Sequence, residues 1–534
     1  MQLQIFDLLI VIAYLAGVLV FGIWIGRRQQ QSREGFFLGG RQFGWWLIGT
    51  SLFAANISSV QFVGQSGLTY QIGIAAANPQ LIGGFMLGIS AIFFIPVYLR
   101  TGIFTIPGFL EQRFDRRCKL IYCLTMVAMG LVTIPVMLYA GCLVVVQIFG
   151  VDETYLLPCA IVLGLTVGVY AIVGGLSSVV YTEMIHSLVL ILGAALVLVL
   201  GLNRVGGLDV LMNSIPTEHF SLIQPMDHAQ MPFTGVLTGL AFSSIFWASS
   251  NQELLQRTLG ARDVRNAQLG MLLGAFLKIL AIFILVFPGL IALHLVPGIN
   301  PDRAYPALVQ TLLPVGLSGV VMAGFLAALM SSLDSGLISL SSVFTIEIYP
   351  LLDRKVSERK ALLVGRIAAG VVLVWGVIAA PWIEHLGLIY PLILKTGAYL
   401  FSSVGVCYLV GRFSRRVNAT GALVTLTVGL LAGVLLVPLT SVPELQALAP
   451  AWLLETNFLH VGAGLVLVYA VCLYGFSALR PAPAASQLAF MTPETAGAGA
   501  GGPGGATESV GLLRSFRFWF VIYILCFLGV YLLF

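Results

Sequence analysis

Residues 50–67, Thr-Ser-Leu-Phe-Ala-Ala-Asn-Ile-Ser-Ser-Val-Gln-Phe-Val-Gly-Gln-Ser-Gly, lie between Trp45-Trp46 and Tyr70 in an apolar setting, yet carry Asn56, Ser58, Ser59, Gln61, Gln65 and Ser66. Such a run cannot face hydrocarbon, where each unpaired polar group costs several kcal/mol. It predicts a polar site inside a membrane protein, on a broken helix. Four further clusters put polar chemistry at membrane depth: Glu183 in Tyr181-Thr-Glu-Met-Ile-His186; Ser243, Ser244, Ser249, Ser250, Asn251, Gln252 and Glu253; Lys278; and Ser331-Ser332-Leu-Asp334-Ser335-Gly336.

The serine pair suggests an ion. A sodium ion takes hard oxygen ligands, and unwound backbone carbonyls supply them where transporter helices break. The hydroxyls of Ser331 and Ser332 with the Ala328 carbonyl make half a shell, and carbonyls freed at a break near Ala54 and Ile57 would supply the rest. Serines that back-bond to the previous turn or pack helices closely give the competing reading. Lys278 lies too deep in an apolar span to snorkel, so a buried acid, amide or solute hydroxyl is expected as its partner. Lys395 raises the same question less sharply. His186, one turn after Glu183, points to a helix–helix hydrogen bond or to a proton relay.

The elements that position these groups follow from composition. Of 534 residues, 59% are hydrophobic and 9% charged, against about 25% charged in a soluble domain. Fourteen stretches approach the ~20 apolar residues that a span requires, from 4–26 to 516–534 and including 44–72 and 154–173. An even number puts both termini on one side. With the N-terminus outside, all but four of the 27 lysines and arginines fall on the cytoplasmic face; Arg204 and Arg303 lie outside, and Lys278 and Lys395 lie within spans. This is the bias of the positive-inside rule. The seven cysteines, without a CxxC pair, read as packing residues. Residues 480–513, rich in Gly, Pro and Ala, read as a disordered cytoplasmic linker to the last helix. No GxxxxGK[ST], HExxH or GxSxG motif in a suitable context appears, so neither an enzyme nor an ATP-driven pump is expected.

Ala54-Ala-Asn-Ile-Ser58, Gln61-Phe-Val-Gly64, Ser66-Gly67, Thr105-Ile-Pro107, Gly174-Gly-Leu-Ser177, Asn251-Gln, Gln256-Arg-Thr-Leu259, Phe276-Leu-Lys278 and Ser331-Ser332 together resemble the sodium/solute symporter family, and within it the bacterial sodium/sugar (galactose/glucose) cotransporters. The resemblance runs from about residue 4 to 440. It implies an all-α polytopic fold of the LeuT type: a first peripheral helix and loop over 1–43, five helices over 44–203, an extracellular loop over 204–231, five inverted helices over 232–412, and peripheral helices over 413–479 and 514–534.

By the same resemblance, sodium would be held by the carbonyls of Ala54, Ile57 and Ala328 and the hydroxyls of Ser331 and Ser332. Glu183 falls where relatives commonly have an aspartate near the ion path, and Asp334 is a candidate for a second cation or proton site, or the partner of a cytoplasmic base. The solute site would draw on Gln61, Gln80, Ser244, Asn251 and Lys278, with Gln65, Trp247 and Tyr390 as gates. Gln80, Ser244, Pro79 and Leu394 depart from the galactose transporter, which has glutamate, asparagine, tyrosine and glutamine there. A neutral Gln80 lacks the charge-assisted acceptor of a carboxylate. The implied activity is sodium-driven import of a small polar solute, a sugar first, by alternating access across the cell (inner) membrane. An importer of a carboxylate or nitrogenous solute is the alternative, and a transporter-like membrane sensor a third reading. Sodium is the coupling ion; no cofactor and no nucleic-acid partner is expected.

Overall fold

The computed structural model describes residues 5–29, 33–149, 152–314, 316–353, 357–489 and 515–534. Among these the chain is helical, with one isolated bridge between Phe43 and Ala261. A backbone in hydrocarbon must satisfy its own hydrogen bonds, which helices do locally. In order, the helices that matter are α1 (Ile5–Gln29), α2 (Trp45–Asn56), α3 (Ser66–Ile72), α4 (Asn78–Phe93), α5 (Ile95–Arg100), α6 (Arg116–Phe149), α7 (Leu156–Val205), α8 (Ala241–Ser250), α9 (Gln252–Leu259), α10 (Val264–Ala281), α11 (Phe287–Leu295), α12 (Leu317–Val343), α13 (Glu358–Ala379), α14 (Ile389–Phe413), α15 (Ala419–Ser441), α16 (Phe458–Ala478) and α17 (Phe516–Leu533).

Burial separates centre from rim. Every residue in the most apolar window of the α12 span is buried, whereas α1 and α17 turn most of their apolar residues outward, including Leu525 and Leu532. The hidden helix is therefore the one that carries Ser331, Ser332, Asp334 and Ser335.

Two spans are interrupted. α2 stops at Asn56, Ile57 adopts an extended conformation (φ −94°, ψ 90°), and the chain resumes through a π-turn over Gln61–Gln65 into α3. α8 stops at Ser250, Asn251 is extended (φ −77°, ψ 118°), and α9 follows. α7 is bent at Gly175, whose φ of 63° lies in the left-handed region and whose absent Cβ would come within 2.7 Å of the Phe36 ring; both facts require glycine.

Of the fourteen expected stretches, twelve match helices among the described residues that are, by length and composition, long and apolar enough to cross a membrane. The other two stretches correspond to the broken α2–α3 segment, neither piece of which spans alone, and to the shorter apolar helix Leu156–Val169. Arg113, Lys119 and Arg257, assigned above to the cytoplasmic side, are buried, which leaves that assignment untouched; Arg113 donates to the carbonyls of Gly411, Ser414 and Val417 at 2.8–3.0 Å. Sequence distance from a span's end does not reveal such tertiary partners. The linker expected over 480–513 begins with a short helix, Ala485–Ala489, whose Gln487 donates to the Phe114 carbonyl at 2.5 Å; from 490 to 514 it lies outside the described residues.

Candidate ion and solute site

The two breaks expose helix-end carbonyls, and their fates differ. The last carbonyls of a helix lack intrahelical partners. At the second break, Tyr98 of α5 donates to the Ser249 carbonyl at 2.6 Å, and Tyr122 of α6 donates to that of Ser250. At the first, Phe53 O accepts from Ile57 N, while among the described residues Ala54 O and Ala55 O meet only serine hydroxyls: Ser331 Oγ lies 2.9 Å from Ala54 O and 3.1 Å from Ala328 O, and Ser332 Oγ lies 3.3 Å from Ala55 O. Ala328 O already accepts a backbone N–H within α12, so the Ser331 hydroxyl is free to serve Ala54 O, and the freed carbonyls of Ala54 and Ala55 rest on rotatable hydroxyls alone. Carbonyls and hydroxyls that can turn their lone pairs inward suit a small hard cation. Ala54, Ala328, Ser331 and Ser332 are thus brought together, with Ile57 fully buried at the break itself.

Beside this cluster Glu183 of α7 forms a buried ion pair. Arg257 Nη1 donates to Glu183 Oε1 and Oε2 at 2.8 and 2.9 Å and to the Ser51 carbonyl at 2.8 Å, while Nη2 donates to Ser335 Oγ at 3.0 Å. The hydroxyls of Ser51 and Ser335 also donate to Glu183. Asp334, fully buried, receives Ser335 Oγ at 3.4 Å. The charge on Glu183 is already compensated by a fixed guanidinium, which the arrangement expected for an ion path did not include. His186 meets Tyr14 of α1, a hydrogen bond between helices.

Lys278 finds amides. Its ammonium donates to Gln80 Oε1 at 2.7 Å and to Asn56 Oδ1; Gln80 Nε2 then donates to Gln65 Oε1 at 3.0 Å, and Gln65 Nε2 to Ala76 O at 2.8 Å. A Cβ at Gly83 would come into ordinary van der Waals contact with the ammonium, at 3.4 Å. This chain borders a cavity of about 130 Å³ lined by Gln61, Gln80, Ser244, Trp247, Lys278 and Tyr390 among others. The volume is on the scale of the ~150 Å³ cavity that accepts one benzene, hence one small ring. Asn56 and Ala55 also line it, so the cavity adjoins the first break.

Two expected residues lie elsewhere. Asn251 is not in the cavity wall; its side chain caps α9 by accepting from Leu254 N at 2.9 Å, because an Asn immediately before a helix satisfies the orphan N–H groups. Gln65 is also absent from the wall; it is fully buried, and its Oε1 accepts from Gln80 Nε2. Lys395 donates to the Thr440 carbonyl at 3.0 Å and faces a separate cavity with His228 and His460. The expectations gave no role to Asn56, Arg257 or Glu253. Glu253 was visible as an acid in a polar cluster, but its sequence position did not disclose the cavity.

A polar cavity at membrane depth, bordered by a broken helix whose freed carbonyls face hydroxyls, defines a secondary transporter. The chain belongs to the sodium:solute symporter family, whose model matches residues 36–429. It is 33% identical over 456 residues to a sodium/glucose cotransporter of Vibrio parahaemolyticus, covering 79% of this chain and 83% of the relative. It is 32% identical over 469 residues to sodium/myo-inositol cotransporter 2 of Homo sapiens, covering 80% and 69%. In fold it is similar to a sodium-coupled sialic acid symporter solved in a substrate-bound outward-open state, with a TM-score of 0.76 at 21% identity over 90% of this chain and 99% of that one. The fold is thus of the LeuT type and the chain is a multi-pass membrane protein with sodium as its coupling ion.

Proposed function

We propose that the protein imports a neutral hydroxylated solute, a sugar or cyclitol, together with one sodium ion. The observation that carries the ion reading is the contrast between the breaks: tyrosines cap the carbonyls of Ser249 and Ser250, whereas those of Ala54 and Ala55 meet only Ser331 and Ser332. Ala54, Ile57 and Ala328 would offer carbonyls and the two serines would turn their lone pairs to the ion. Arg257 on Glu183 argues against a second sodium there. The solute reading draws support from the one-ring cavity with its amides and ammonium, and from relatives named for glucose and myo-inositol.

In this cycle, sodium binds first and steadies the break; the solute then enters the cavity between Tyr390 on the outer side and Trp247 on the inner side. The helix groups within 44–203 and 232–412 rock to open inward. The solute leaves chemically unchanged. We place the protein in the cell (inner) membrane with both termini outside. One sodium crossing 100 mV supplies about 2.3 kcal/mol, roughly fifty-fold accumulation at one-to-one stoichiometry. A carboxylated solute is the weaker reading, because the Lys278 ammonium is already tied to two amides.

The test is uptake of glucose, galactose, myo-inositol and glucuronate into proteoliposomes under a sodium gradient. Uptake of a neutral polyol should require external sodium, follow a hyperbolic sodium dependence, and collapse in Ser332→Ala. Equal uptake in potassium buffer would sink the coupling, and a sodium Hill coefficient near two would sink the single ion.

A further inference from the structure

Glu253 occupies the first turn of α9 and lines both the solute cavity and a smaller void beside it. Thr133 and Trp247 are the other residues common to the two, so these three residues stand between them. The smaller void continues along Gly336, Ser339 and Leu340 of α12, past the serine pair.

Each of the cavity's amide oxygens already has a protein donor: Asn56 Oδ1 and Gln80 Oε1 receive Lys278, and Gln61 Oε1 receives both the N–H and the hydroxyl of Ser58. By contrast, no donor meets the Glu253 carboxylate among the described residues: its backbone carbonyl, not its side chain, accepts Arg257 Nη2 at 2.9 Å. A carboxylate at membrane depth is costly unless something completes its hydrogen bonds. A hydroxylated ring would, since neighbouring hydroxyls supply two donors to two carboxylate oxygens, and charge-assisted bonds of this kind are roughly twice as strong as neutral ones. Gln80 cannot make such a bond, being neutral and engaged at both ends by Lys278 and Gln65.

We propose that Glu253 is the residue that selects neutral polyhydroxylated solutes: its carboxylate accepts hydrogen bonds from two adjacent ring hydroxyls, and its charge excludes solutes that carry a carboxylate. The inference rests on the sugar or cyclitol reading above. With Lys278 on the same wall, the cavity presents both signs of charge, which matches a neutral solute with many dipoles better than an anion.

The experiment compares full-length wild type, Glu253→Gln and Glu253→Asp in proteoliposomes with glucose, galactose, myo-inositol, their monodeoxy analogues and glucuronate. For the polyol that wild type takes up, Glu253→Gln should raise KM about 10- to 100-fold, with the thermal stabilisation by sodium alone retained as proof of folding. Glucuronate, excluded by wild type, should compete in Glu253→Gln, a gain that misfolding cannot mimic. In wild type, two monodeoxy analogues lacking adjacent hydroxyls should lose comparable affinity, and Glu253→Gln should no longer distinguish them. An unchanged KM or undiminished exclusion of glucuronate in Glu253→Gln, while wild type still takes the polyol, overturns this inference alone. Wild-type preference for glucuronate over every neutral polyol overturns it together with the sugar reading.

Discussion

Lys278 donates to Gln80 at 2.7 Å, and this bond joins α10 to α4 across the wall of the solute cavity. Because the same ammonium donates to Asn56 at the end of α2, three helices meet at one nitrogen. Replacing Lys278 by Met keeps the apolar stem and leaves the buried Gln80 and the half-buried Asn56 short of a donor, at a cost of about 1–3 kcal/mol for the buried amide. Lys278→Met should lower the thermal midpoint in detergent and raise the solute KM at least tenfold. A variant with both values unchanged would show that the tether is dispensable.

The Arg257–Glu183 pair is almost wholly buried, with side-chain exposures of 1% and 0%. Removing one partner of such a pair strands the other charge, typically at 3–5 kcal/mol. Arg257→Gln should therefore unfold at much lower temperature than wild type. The double variant Arg257→Gln/Glu183→Gln should recover part of the loss, and strictly additive losses would argue that the two charges do not depend on each other.

Gly64 touches Tyr390 so closely that a Cβ would lie 2.8 Å from the tyrosine Cβ and 2.9 Å from its backbone nitrogen. Backbone cannot swing aside as a side-chain tip does. Gly64→Ala should push α14 away from the first broken helix, cost about 1–3 kcal/mol, and, on the proposal that Tyr390 is the outer lid, lower the maximal uptake rate. Wild-type stability and rate in this variant would mean that the contact is not kept through the cycle.

Asp302 lies in the turn Pro301–Arg303, between two spans, and accepts from Ile389 N at 3.2 Å at the start of α14. Burial pushes its carboxyl up from 3.8 to about 6, against the opposite pull of the Ile389 N–H. Because the folded value is raised, the stability it contributes is complete below the unfolded value and is lost as pH rises through about 6. The wild-type advantage over Asp302→Asn should shrink between pH 4 and 6, at most about 1.4 kcal/mol per pH unit. Parallel stability profiles for the two proteins across that window would contradict this.

The chain announced its polar centre because hydrocarbon makes polar residues conspicuous. The break after Asn56, the serine pair of α12 and a buried amide partner for Lys278 were legible from residue type at membrane depth. Partner choice was harder. Asn251 looked like a solute ligand, yet Asn with an acid two residues later is also the signature of a helix start, and that is its role here. Gln65 was expected at a gate by resemblance alone, and its residue type could not show that its side chain turns to Gln80 and Ala76 rather than to the cavity. Arg257 sits near the end of an apolar stretch, where sequence favours a surface base; only the convergence of α2, α7 and α12 encloses it.

The eight residues of α9 hold Glu253 against the solute cavity and, one turn later, Arg257 against Glu183 and Ser335. A two-turn helix is stiff on this scale, with ~1.5 Å of rise per residue, and Arg257 is further clamped to the Glu253 carbonyl. The two charges therefore sit on one short rigid element. In the proposed cycle, a displacement at the Glu253 end would be carried to the guanidinium beside the Ser331–Ser332 turn, and linkage makes any such coupling reciprocal: a short lever with one arm in each proposed site would penalise the half-loaded carrier, and a half-loaded carrier that cannot turn over does not leak.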